Sequence, residues 1–161
     1  MNTKQKFENF LKSLKGKGQT TLIESIEAGF RVCFESALEG HGTAEDEIIK
    51  GYVDAMFWTE EETLNDKDLS DLAPETINKI ISEVKMFYNK THELINQTPD
   101  EYTDEYGYTQ VGHDFWLTRN GHGAGFWDRG LGELGDKLTS ISKQFGESNL
   151  YEGDDGKLYL G

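Results

Sequence analysis

A chain of 161 residues with 35% hydrophobic residues and a formal net charge of −14 has the length of one ordinary domain, which hides roughly 70% of the surface its unfolded form exposes. Its nine Phe, seven Tyr and three Trp supply large buried areas where aliphatics are few, which excludes a disordered chain. The single cysteine, Cys33, excludes an internal disulfide, and the acidity disfavours direct contact with nucleic-acid phosphates or an anionic membrane.

Phe7, Phe10, Leu11 and Leu14 fall at i, i+3, i+4 and i+7 and predict a short first helix whose other face carries Lys4, Lys6, Lys12 and Lys15. Gly16 and Gly18 stop it. That lysine face is compatible with packing on the core or with pairing to a second copy in a homo-oligomer. Thr21 to Glu24 has the pattern of a capping box, and Leu22, Ile26, Phe30, Cys33/Phe34 and Ala37/Leu38 carry a second helix to Gly40. Cys33 sits on this apolar stripe and reads as a small core residue, not a reactive thiol. Met1 to Lys17 offers no continuous apolar stretch for a signal-peptide core, and no uncharged apolar run approaches membrane-spanning length. The chain is therefore expected in a reducing cytoplasm.

Thr43 to Asp46 offers a cap with acids in the first turn, and Ile48/Ile49, Tyr52/Val53 and Met56/Phe57 mark a third helix with an acidic polar face. Glu60 to Asp71 reads as a solvated loop leading to Pro74, which suits the first position of a fourth helix. Ile77, Ile80/Ile81, Val84, Phe87/Tyr88 and Leu94/Ile95 keep that helix periodic to about Asn96, and Pro99 prevents its continuation. Residues 99–112, with Tyr102, Tyr106 and Tyr108, form an acidic connection without helical period.

Asp114 to Arg119 and Ala124 to Asp128 are aromatic-rich and flank Asn120-Gly-His-Gly123, whose Asn-Gly pair signals a tight hairpin. Leu131, Leu134, Leu138, Ile141 and Phe145 restore helical spacing up to Gly146, with Gly132 and Gly135 weakening its start. Asn149 to Glu152 and Lys157 to Leu160 flank Gly153-Asp-Asp-Gly156, a second hairpin. The expected fold is α+β in a single domain over residues 1–161: about four helices in a mainly helical part (1–98), the acidic connection (99–112), and a ββαββ unit with a small antiparallel sheet (113–161).

Charge is uneven along the chain, since residues 45–118 hold five Lys/Arg against eighteen Asp/Glu. The acids are Glu45, Asp46, Glu47, Asp54, Glu60, Glu61, Glu62, Asp66, Asp68 and Asp71, followed by Asp100, Glu101, Asp104 and Glu105, with a few more on the fourth helix and beyond. Residues four apart on a helix are separated by about 6 Å, near the spacing of phosphates along one strand, so rows of carboxylates can imitate a nucleic-acid backbone. Such a surface favours a basic partner, whereas its plain alternative is a solvated face that maintains solubility. The partner expected on this basis is a protein with a basic, nucleic-acid-binding surface, without direct contact to nucleic acid.

A second candidate lies in the segment from Gly112 to Arg129. His113, Asp114, Arg119, His122, Asp128 and Arg129 are types able to do acid-base work, hold a metal or bind an anion, and they would form a pocket if the strands gathered them. Signatures of metal, phosphate-loop, serine-elbow or dinucleotide sites are missing. Neither a metal nor another cofactor is expected, and enzymatic activity is the minor reading. Arg119 and Arg129 more simply pair with neighbours such as Asp114 and Asp128, and Trp116 and Trp127 read as core or sheet-face residues rather than a platform for bases.

The stretch His113-Asp-Phe-Trp-Leu-Thr-Arg-Asn-Gly-His-Gly-Ala-Gly-Phe-Trp-Asp-Arg129, with Gly135 to Leu138, Phe145 to Glu147 and Leu150 to Leu160, resembles a module of small uncharacterised proteins encoded by tailed bacteriophages. The resemblance covers about the last third, and is weaker around Tyr52 to Trp58 and Asp71 to Glu75. It implies a protein made in the cytoplasm of an infected bacterium. By analogy with small acidic phage proteins, it suggests one that binds and inhibits a host DNA-handling or defence protein, with no functional residue carried over.

Overall fold

The computed structural model of the protein describes residues 34–35, 43–98 and 105–161. Among these residues the fold is α+β and mostly helical, with four α-helices and one two-stranded antiparallel sheet. The first two predicted helices, Cys33, and the acids Asp100, Glu101 and Asp104 lie outside the described residues, apart from helical Phe34 and Glu35. Phe34 is buried in the core, as its place on the predicted stripe requires.

Helix α1 (Ala44–Thr59) starts at a full capping box: Thr43 Oγ1 accepts from the Asp46 backbone N–H at 3.3 Å while Asp46 accepts from the Thr43 N–H at 3.0 Å. Its Ile48, Tyr52, Ala55 and Met56 are buried along one stripe. The following loop holds one 3-10 turn, Leu69–Asp71, capped by Asp68. Helix α2 (Pro74–Ile95) begins on the proline, whose missing N–H costs nothing there, and buries Ile77, Ile80, Val84, Phe87 and Ile95.

Helix α3 (Glu105–Asn120) corrects the sequence-based expectation twice. It takes up the second half of the supposed connection, residues 105–112, and all of the first supposed strand. From Val111 to Arg119 every residue except His113 is buried, so α3 is a central helix without the polar face that gives a helix its periodic signature. The predicted turn is instead a helix stop. Gly121 takes φ +66, the His122 N–H reaches the Leu117 carbonyl at 3.1 Å, and the Gly121 N–H reaches that of Thr118 at 3.4 Å. This is the Schellman arrangement, which needs the same left-handed residue as a hairpin turn. The second supposed strand is a 3-10 turn, Phe126–Asp128, tied to α3 where the Phe126 N–H donates to Thr118 Oγ1 at 3.1 Å. The ββαββ unit is thus replaced by helix, turn, helix and hairpin.

Helix α4 (Glu133–Lys143) and strands β1 (Leu150–Glu152) and β2 (Leu158–Leu160) follow the expected pattern, in the register Leu150↔Leu160, Tyr151↔Tyr159 and Glu152↔Leu158. The hairpin docks on the start of α2 through the Leu158 carbonyl, which accepts from the Ala73 N–H at 3.0 Å and from Thr76 Oγ1 at 2.8 Å. At the centre, Phe115 of α3 stacks on Phe87 of α2 with centroids 4.0 Å apart, and Tyr52 meets Trp116 edge-on at 5.1 Å. Helices α1 and α3 meet glycine to glycine: a side chain on Gly51 would strike the Thr109 carbonyl, and one on Gly112 that of Ile48. No helix among the described residues is long and apolar enough to cross a membrane.

Candidate functional site

The acids of the middle segment fall into two groups. Some serve the fold. Glu47 is only 7% exposed and accepts from Thr109 Oγ1 at 3.0 Å, while Asp46, Asp68 and Asp71 complete helix and turn caps. Asp54 pairs with Lys50 at 2.9 Å, an exposed i, i+4 pair that contributes little, and Glu45 is half-buried in the first turn of α1. The side chain of Glu105 lies outside the described residues.

Others gather at the end of α1, where half-buried Glu60 accepts from Thr63 Oγ1 at 3.2 Å. Helix α1 ends at Thr59 with no basic residue in its last turn, and Glu60, Glu61 and Glu62 follow directly at the negative end of its dipole. Glu61, Glu62 and the nearby Asp66 are exposed, without an ion-pair partner among the described residues. Trp58, 65% exposed, stands immediately before them. Sequence reasoning passed over Trp58, although it lies four residues after exposed Asp54 and so shares the polar face of α1. Helix electrostatics would favour lysine or arginine at this end, so folding does not account for Glu61 and Glu62.

The six residues of the second candidate do not form one pocket. Asp114, with no exposure at all, receives a two-pronged pair from Arg129 (Nη2 to Oδ1 2.8 Å, Nε to Oδ2 3.1 Å) and a bond from Gln110 at 3.1 Å. This is the pairing the sequence suggested for Arg129, and it clamps the 3-10 turn to α3. Asp128 accepts from the Gly125 N–H at 3.1 Å and closes that turn. Arg119 belongs to a separate buried network: it pairs with Glu83 and donates to the Tyr52 hydroxyl at 2.9 Å and to the carbonyls of Phe145 and Gly146 at 3.0 and 2.9 Å. Burial pushes the Tyr52 phenol far above its ordinary value. Sequence reasoning missed Glu83, whose only signal is a carboxylate between the apolar positions Ile80, Val84 and Phe87. His122 is exposed beyond the end of α3, and Trp127, expected in a core or sheet face, is 54% exposed.

No protein-family model, curated protein or solved structure matches the chain. The arrangement of its own residues therefore has to carry the functional reading. Among the described residues no three His, Cys, Asp or Glu side chains are grouped so as to hold a metal ion.

His113, half-buried on α3, carries a testable consequence. Burial holds its pKa below 6.5, against the opposing pull of Asp54 and Asp114. The unfolded chain therefore takes up this proton first as pH falls, and stability contributed above 6.5 is progressively lost below it, until the pH passes the depressed folded value. In urea denaturation across this window, His113→Gln is expected to show a shallower loss of stability than the parent chain. Equal slopes would exclude His113 as the source.

Proposed function

We propose that the chain is an acidic interaction protein that docks its exposed carboxylates at the end of α1 on a basic surface of a partner protein. The observation that carries this reading is the placement of Glu60, Glu61 and Glu62 at the negative end of a helix dipole, beside exposed Trp58. Charges that oppose local stability are retained where binding needs them. The indole adds apolar area and a ring face that attracts Lys or Arg. The resemblance of the last third to small tailed-bacteriophage proteins supports a partner that is a host DNA-handling or defence protein, engaged and inhibited in the infected cell by imitation of DNA charge. The engaged state of Asp114, Arg119, Asp128 and Arg129 favours this surface over a pocket between Gly112 and Arg129.

Reversing Glu60, Glu61 and Glu62 to lysine tests the reading because stability and binding should move in opposite directions. The fold is expected to gain roughly 0.3–1 kcal/mol from cations at the helix end, while affinity for a basic partner falls at low salt. If the variant is less stable and binds as well as the parent, these carboxylates serve the fold and the assignment is wrong.

A further inference from the structure

The Asn120-Gly121 pair stops α3, and the site proposed above does not use it. It is also the one Asn-Gly step in the chain. Where glycine follows asparagine, no side chain shields the peptide nitrogen, so that nitrogen can attack the amide carbon of the asparagine. The N–Cγ bond forms as the Cγ–amide bond breaks. The glycine N–H proton leaves with the amide as ammonia, and water then opens the cyclic imide to aspartate or isoaspartate.

Three contacts oppose this reaction in the fold. The Asn120 amide donates from Nδ2 to the Trp116 carbonyl at 3.1 Å and accepts at Oδ1 from the Ser148 N–H at 2.8 Å, so both ends of the amide are held. These partners also fix its orientation, because a carbonyl can only accept and an N–H can only donate. The attacking Gly121 N–H is turned onto the Thr118 carbonyl at 3.4 Å by the Schellman stop. Asn120 is the last residue of α3, and the helical backbone directs the next nitrogen away from its own side chain.

We propose that Asn120 is a conformation-gated deamidation site, closed in the native fold and opened whenever the last turn of α3 separates from the Ser148 loop. The product cannot restore the clamp. A carboxylate in place of the amide has no donor for the Trp116 carbonyl and adds negative charge at the negative end of α3. Each opening thus carries a risk of irreversible loss, and the rate of that loss follows the fraction of time this turn spends open.

Peptide mass spectrometry of the full chain in mildly alkaline buffer, with and without denaturing urea, tests the proposal through the mass gain from amide to acid. Modification at Asn120 is expected to be at least about tenfold slower in the folded chain than in urea. Equal rates in both conditions, or no modification in urea, would overturn the gating. Asn120→Asp reads the second half of the claim: a lower urea midpoint or failure to fold supports it, and a midpoint equal to that of the parent overturns it. Asn120→Gln, which removes the Asn-Gly step, should abolish the mass gain at this position; a gain that persists would place the chemistry elsewhere.

Discussion

Gly112→Ala is expected to destabilise the fold by about 3 kcal/mol or more, the upper end of what overpacking a close contact costs. A methyl group there would meet the Ile48 carbonyl and approach the Tyr52 backbone nitrogen to 2.7 Å. The obstacles are main-chain atoms of α1 and cannot rotate away, so the helices must separate. Separation would loosen the Tyr52 contacts with Phe115 and Trp116 and the Glu47 bond to Thr109. Gly51→Ala should behave alike, because it meets the Thr109 carbonyl in the same crossing. Gly130→Ala is a useful contrast: nothing lies within 4 Å of an added methyl group, and its φ of +71 leaves only backbone strain. Its cost should be about 1 kcal/mol or a little more. Urea denaturation of the three variants gives the comparison, and equal costs at Gly112 and Gly130 would refute the close crossing.

Arg119→Met is the second large effect. The side chain is almost wholly buried, and its removal leaves Glu83 with an unpaired charge and frees the Phe145 and Gly146 carbonyls in the interior. Breaking a buried pair from one side costs about 3–5 kcal/mol. Replacing both partners, Arg119→Met with Glu83→Met, should cost clearly less than the sum of the two single changes, because no unpaired charge remains. Additive costs in the double-mutant cycle would mean that Glu83 and Arg119 do not depend on one another. The cycle also separates a fold-holding arginine from an anion-binding one, since the latter would show little coupling to Glu83.

Much of the framework was legible because its signals are local. The Thr43 to Asp46 cap, the proline start of α2, the apolar stripes of α1, α2 and α4 and the final hairpin each rest on residues a few positions apart. Helix α3 was illegible for a physical reason: a helix buried nearly all round shows no stripe, and its aromatic Phe115 and Trp116, a few residues before the Asn-Gly pair, resemble a strand entering a hairpin. Its Asn-Gly stop then completed the misreading, since a Schellman stop and a hairpin turn demand the same backbone conformation. Of the candidate site, the Arg129 pairing with Asp114 spans 15 positions within one segment and was readable. The Arg119 pairing with Glu83 spans 36 positions and was not. Likewise, charge alone could not separate Glu47, which turns inward to Thr109, from Glu61 and Glu62, which face solvent.

The most direct measurement is capture of partners by the tagged chain from nuclease-treated bacterial lysate, at low and high salt, beside the variant with Glu60, Glu61 and Glu62 changed to lysine. The expected result is a DNA-handling protein held by the parent chain at low salt, released by high salt or by added duplex DNA, and absent from the variant. A partner held equally by the variant, insensitive to salt and not displaced by DNA, would contradict charge-led docking at the end of α1.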